Sequence, residues 1–320
     1  MSSPSVLRAT PGTDLQAPVD IVDELCAANE TLLRGRWQRR GGRTLPSRTA
    51  VVKVMEDLRA ALFPGHFGAT DLTAPNLRSY VSAKLDRVQV DLTEQIRRAL
   101  SFTCQHDLVS TAGECRACAD QAGEVSAALV SRLPGIRRLL ESDLQAAYAS
   151  DPAARLLDET LYCYPGILAI TNHRLAHELH RLAVPLLPRM ISELAHSATG
   201  IDIHPGAQIG PHFFIDHGTG VVIGETCVIG SRVRLYQGVT LGARRTAVDP
   251  DGFLARGQPR HPLIDDDVVI YAGATILGRI TIGAGATIGG NVWLTRDVAP
   301  GARVTQAFLQ HNAVEDRPGA

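Results

Sequence analysis

The chain has 320 residues, with 32 Lys and Arg against 33 Asp and Glu, so it lacks the basic field that draws in nucleic acid or a membrane surface. No stretch approaches the ~18 uninterrupted apolar residues of a membrane span. The start Met1-Ser2-Ser3-Pro4 lacks a basic region followed by an apolar run, which predicts no secretion signal and a cytoplasmic protein of about two domains.

Residues 1–47 alternate Pro, Gly, Ser and charge, with helical spacing only over 19–33, and are expected to form a mobile arm. From 48 to 198 the pattern is helical. Val51, Val54, Met55, Leu58 and Leu62 fall on one face, and Pro64-Gly65 stops the run. A longer helix is predicted over 75–102, with Leu77, Val81, Leu85, Val88, Leu92, Ile96 and Leu100 on one side. Residues 118–133 and 134–149 read as two helices divided by Pro134, followed by helices over 167–183 and 185–198.

Six cysteines are spread without a disulfide framework, as expected of a reduced compartment. Cys104, His106, Cys115 and Cys118 offer four possible metal ligands, but a single Cys-x-x-Cys is a weak signal. The plainer reading is a helix–helix connection that carries thiols. His173, His177 and His180 include His177-Glu178-Leu179-His180, one residue short of the zinc-protease spacing, so they read as surface or interface histidines.

From 201 to 304 branched aliphatic residues recur every sixth position: Ile203, Ile209, Ile215; Ile223, Ile229, Leu235, Leu241; Ile264, Ile270, Ile276, Ile282, Ile288, Leu294. A period of six fits neither a helix nor a simple alternation, and three hexads make one triangular coil of a parallel β-helix. The repeat breaks twice. The step from Ile215 to Ile223 is eight residues, beside Asp216-His217-Gly218-Thr219-Gly220, and the polar excursion over 243–262 ends in Arg260-His261-Pro262. A long excursion from a strict repeat is expected to be functional.

Four ordered motifs carry a resemblance. Gly200-Ile201-Asp202-Ile203-His204-Pro205-Gly206-Ala207, Phe214-Ile215-Asp216-His217-Gly218-Thr219-Gly220 with Ile223-Gly224-Glu225-Thr226, Gln237-Gly238-Val239-Thr240-Leu241-Gly242, and Arg260-His261-Pro262 together resemble serine O-acetyltransferase. That family belongs to the hexapeptide-repeat acyltransferases, and the long helical N-terminal region resembles its extended bacterial subgroup. The resemblance covers about residues 140–305. It implies an α+β fold with a helical domain over 48–198, a left-handed β-helix over 199–305 and a polar tail over 306–320.

The implied reaction moves acetyl from acetyl-CoA to the L-serine hydroxyl, with no metal required. A hydroxyl attacking a thioester needs a base of pKa near 7, and histidine is the natural choice. The resemblance assigns that role to His217, with Asp202 as its carboxylate partner. It sets Arg260 and His261 at the serine carboxylate and hydroxyl, Asp151 and Asp216 at the ammonium, and Gly242, Ala272 and Gly290 along acetyl-CoA. His204 reads as structural and His212 is left open. The assembly is expected to be a homo-oligomer, a trimer or a dimer of trimers, with 243–262 reaching across the seam.

The tail ends Arg317-Pro318-Gly319-Ala320, without the terminal isoleucine by which family members dock to O-acetylserine sulfhydrylase, which argues against that partner. Three other readings stay open: a related acetyltransferase acting on a sugar, a γ-carbonic-anhydrase-like lyase using His212 and His217 at a spacing of five, and a non-catalytic scaffold.

Overall fold

Every aliphatic position of the six-residue period occupies a rung of a parallel ladder in the computed structural model, which describes residues 21–30, 44–104, 115–244 and 257–306. His106, the segment 245–256, the tail beyond 306 and most of the expected arm lie outside the described residues. Residues 21–30 are helical and wholly exposed.

Among the described residues, fourteen short strands form three sheets, with orders β1-β4-β7-β10-β13, β2-β5-β8-β11 and β3-β6-β9-β12-β14. These are the three faces of a left-handed β-helix. On face one, β1 (Asp202–Ile203), β4 (Val222–Ile223), β7 (Thr240–Gly242), β10 (Thr275–Leu277) and β13 (Trp293–Leu294) align Ile203, Ile223, Leu241, Ile276 and Leu294. Face two, β2 (Gln208–Ile209), β5 (Val228–Ile229), β8 (Leu263–Ile264) and β11 (Thr281–Ile282), stacks Ile209, Ile229, Ile264 and Ile282. Face three carries β3 (Phe214–Asp216), β6 (Arg234–Tyr236), β9 (Val269–Ile270), β12 (Thr287–Ile288) and β14 (Arg303–Val304). Each inward aliphatic contributes about 1.5–3 kcal/mol on burial, so the repeat is a continuous apolar axis.

Among the described residues, six further helices lie between residues 21–30 and the coils: α1 (Arg48–Leu62), α2 (Ala74–Thr103), α3 (Arg116–Ser150), α4 (Leu157–Cys163), α5 (Pro165–Arg181) and α6 (Leu187–Thr199). The expected break at Pro134 is absent, and α3 runs through it. Leu129, Leu133, Ile136 and Leu140 form one buried stripe across the proline, and their burial outweighs the ~3 kcal/mol that an interior proline costs. Helix α4 has too short a period to be read from sequence. His173, read as a surface or interface histidine, is not at the surface: it is 2% exposed on the inner side of α5.

Helices and coils meet at a buried ion pair. Arg174 of α5 donates to both carboxylate oxygens of Asp143 of α3 at 2.6 and 2.8 Å, and also to the carbonyls of Ile209 and Gly210. Asp143 in turn accepts from the backbone N–H of Phe213 at 2.9 Å. No described helix is long and apolar enough to cross a membrane.

Candidate active site

The eight-residue step becomes a tight turn on the edge where face three passes into face one. Asp216 ends β3, and His217, Gly218 and Gly220 then adopt positive φ of 58°, 89° and 79°. His217 is in the left-handed region that few non-glycine residues occupy. A Cβ on Gly218 would run into the Ile201 side chain, so glycine is required there. Val221 N–H closes the turn onto Gly218 O at 3.0 Å, and Gly220 N–H bonds Gly200 O of the preceding coil at 2.9 Å. The turn thereby throws the imidazole outward, and the His217 side chain is 73% exposed.

Two carboxylates converge on this edge. Asp216 accepts from Arg234 Nη2 at 2.8 Å, and its other oxygen stands 3.8 Å from His217 Nε2. Arg234, one coil on, lies over the rings of Tyr236 and Phe214. Asp151, the residue that caps α3, accepts from Tyr164 Oη at 2.5 Å and from Ala153 N–H at 2.8 Å. The Tyr164 hydrogen bond, backed by Ala153 and by the nearby Arg234 and His217, holds the Asp151 carboxyl below its usual range. The same bond and partial burial push the Tyr164 hydroxyl up to about 12. The edge therefore offers an exposed imidazole beside fixed anions.

Asp202 points outward from β1 near the same turn, but no hydrogen bond or ion pair joins it to His217 among the described residues. The imidazole faces Asp216 instead.

A second cluster occupies the opposite edge, where face one passes into face two. His261 is 6% exposed and packs over Gly224, where any Cβ would intrude on the ring. Thr226 N–H donates to His261 Nδ1 at 3.1 Å, which leaves the ring proton on Nε2. The Thr226 hydroxyl, 2.9 Å from the same nitrogen, accepts from the backbone N–H groups of Arg260 and His261. Burial, reinforced by the Arg260 charge, lowers the His261 pKa and favours its neutral form. Arg260 pairs with Glu225 at 2.7 Å. Burial raises Glu225, but the Arg260 hydrogen bond and the neighbouring positive charges outweigh it and hold the carboxyl low. Arg279 ties the corner by donating to the carbonyls of Thr226 and His261.

The two clusters are separated by the width of face one, roughly 16 Å at ~3.3 Å per extended residue. The three residues expected along acetyl-CoA divide in the same way. Ala272 and Gly290 stack on the His217 edge, where Asn291 N–H bonds Ala272 O at 2.9 Å. Gly242 ends β7 on the His261 edge. Sequence reasoning missed Tyr164 and Arg234. Glu225 and Thr226 stood inside a quoted motif but were given no role.

The only group of three or more close metal-ligating side chains among the described residues is Cys104, Cys115 and Cys118, far from both edges. His212 uses its backbone N–H to bond Ser142 Oγ and joins no such group with His217.

Residues 261–296 match the family described as bacterial transferase hexapeptide (six repeats). A plasmid serine acetyltransferase of Synechococcus elongatus is 54% identical over 276 residues, covering 86% of this chain and 86% of that protein. The Bacillus subtilis serine acetyltransferase is 47% identical over 161 residues, covering 50% of this chain and 70% of its own. Among solved structures, Entamoeba histolytica serine acetyltransferase 1 in complex with L-cysteine superposes with a TM-score of 0.68 at 38% identity, covering 78% of this chain and 85% of that one. The Neisseria gonorrhoeae serine acetyltransferase in complex with serine gives 0.51 at 28% identity, covering 80% and 94%. With fold, motifs and a near-full-length relative in agreement, the chain belongs to the serine acetyltransferase family.

Proposed function

We propose that the protein transfers acetyl from acetyl-CoA to the L-serine hydroxyl, giving O-acetyl-L-serine and CoA, at sites shared between neighbouring subunits. The observation that carries the shared site is the split of the candidate residues between two edges of face one. Serine spans only a few ångströms, so His217 and His261 of one chain cannot both reach it. Closed threefold packing of triangular coils sets the His217 edge of one subunit against the His261 edge of the next.

In that seam Asp151 and Asp216 hold the serine ammonium. Arg260 takes the carboxylate, and His261 Nε2–H steadies the hydroxyl end. His217 removes the hydroxyl proton as the oxygen attacks the thioester carbon, and when the tetrahedral intermediate collapses with cleavage of the C–S bond the imidazolium returns that proton to the departing sulfur, so CoA leaves as the thiol. Asp202 supports the imidazolium by charge. The pantetheine arm runs along Ala272 and Gly290 of one subunit and Gly242 of its neighbour. No step calls on a metal.

This reading places the protein in cysteine synthesis in the cytoplasm, as a trimer or a dimer of trimers, and does not require docking to O-acetylserine sulfhydrylase. Two measurements test it. Serine-dependent CoA release from folded protein tests the reaction, and its absence defeats that part. Mixing inactive His217→Ala with inactive His261→Ala subunits tests the sharing. A mixed trimer holds a site with both residues intact, and activity that stays absent after verified exchange points to sites built within single chains.

A further inference from the structure

Helix α2 ends at Thr103, and Cys104 caps it with its N–H on Leu100 O at 2.9 Å. Helix α3 begins at Arg116, with Cys115 as its N-cap and Cys118 in its first turn. This antiparallel pair brings three thiols from the two helix ends together, with all their sulfurs within 4.8 Å of one another. The Cys104 and Cys115 sulfurs are 3.9 Å apart. That spacing is far beyond the ~2.05 Å of a disulfide. It agrees with tetrahedral zinc chemistry, where sulfurs at ~2.3 Å from the ion stand about 3.8 Å from each other.

A thiolate is favoured at Cys115, whereas burial and the neighbouring sulfurs push the Cys118 thiol up to about 12, a cost that a cation among the three sulfurs offsets. Backbone N–H groups of Cys118 and Ala117 point at the Cys115 sulfur, as the first turn of a helix provides. Cys118 is buried and Cys104 and Cys115 are half-buried, so the group faces partly inward. Of the six cysteines in the chain, half meet here. Helix α3 is 35 residues long, so at ~1.5 Å per residue the cluster is roughly 50 Å from the Asp151 end of the same helix.

We infer that Cys104, Cys115 and Cys118 bind a structural zinc ion that clamps the end of α2 to the start of α3. The three thiolates supply three corners of a tetrahedron, and water or another donor closes the fourth. The ion takes no part in acetyl transfer. It ties two helix ends just beyond the last core residues of each, Ala99 and Ala122, and binding adds directly to folding stability because the unfolded chain holds no such site.

The test uses full-length protein purified under reducing, chelator-free conditions. Elemental analysis is expected to find about one zinc per chain. Cys104→Ser and Cys115→Ser should each lose most of it and lower Tm, while Cys26→Ser, at an exposed position, retains it. Cobalt added to the zinc-stripped protein should give thiolate charge-transfer bands and the visible spectrum of a tetrahedral site. Serine-dependent activity should persist in the folded serine variants. Wild-type protein that carries no zinc, and whose reduced, stripped form gains neither a cobalt spectrum nor a higher Tm with Zn2+, overturns the assignment. A Cys104–Cys115 disulfide as the resting state in the reducing preparation overturns it as well.

Discussion

The His261 ring lies directly over Gly224, in space that a single methyl group would fill. Gly224→Ala must therefore push the imidazole off its Thr226 hydrogen bonds while the aliphatic rung at Ile223 stays intact. A displacement of about 1 Å in a positioning group costs about 10²-fold in rate. Steady-state kinetics with a melting curve on the same sample checks this, and unchanged kcat/KM for serine would show that His261 is not needed in that position.

His217→Ala is expected to lower kcat by about 10²- to 10⁴-fold, the range for loss of a general base. The fold should survive, because the imidazole is mostly exposed, its ion-pair contact is with Asp216 at 3.8 Å, and alanine needs only the same left-handed turn. Asp202→Asn should be milder, since it contributes charge without a hydrogen bond to the base. Near-normal turnover of His217→Ala would move the base to His261.

Arg260→Ala should raise the KM for serine far more than that for acetyl-CoA, because it removes a charge-assisted contact to one substrate only. In the free chain Arg260 is paired with Glu225, so the variant also leaves that carboxylate without its partner. Parallel increases in both constants would indicate a collapsed corner instead.

L-Cysteine, if it inhibits, should compete with serine. It differs from serine by one atom at the reacting end, and a site that reads ammonium and carboxylate must admit it. The Entamoeba relative in complex with L-cysteine is consistent with this. Double-reciprocal plots decide, and inhibition that excess serine fails to relieve requires a second site.

Stability should fall as pH drops from about 6.5 towards 4. Burial lowers His173 well below its ordinary value, His204 to about 4, and His177 and His261 by smaller steps. In that window the unfolded chain binds protons that the folded chain refuses, so acid favours unfolding. Burial raises the Asp143 carboxyl, which acts in the opposite direction, but one carboxyl set against four imidazoles does not reverse the sign. A Tm that stays level between pH 7 and 4.5 would contradict this account.

The coils were legible because each inward position recurs at a fixed interval and admits only an aliphatic side chain. The two candidate clusters were legible where they coincide with breaks in that interval, at Asp216-His217 and Arg260-His261. Tyr164 and Arg234 were not, because each reaches its carboxylate only through the fold, one from a helix start and one from the next coil. Pro134 misled for a related reason: the local rule against an interior proline was outweighed by burial on both sides of it. The burial of His173 likewise depends on where α5 packs, which no local pattern records.

The pair Asp143 and Arg174 has a consequence for modularity. Its hydrogen bonds use up the Ile209 and Gly210 carbonyls and the Phe213 N–H, backbone groups of the first coil. The helices are thus the lid of the solenoid at this end, and excising them would remove both charges together and leave the Ile209 and Gly210 carbonyls and the Phe213 N–H unpaired, polar backbone open to pairing with another copy. Whole hexads can be gained or lost in such an architecture only away from that sealed end, so variation in coil number among relatives is expected to fall after β6.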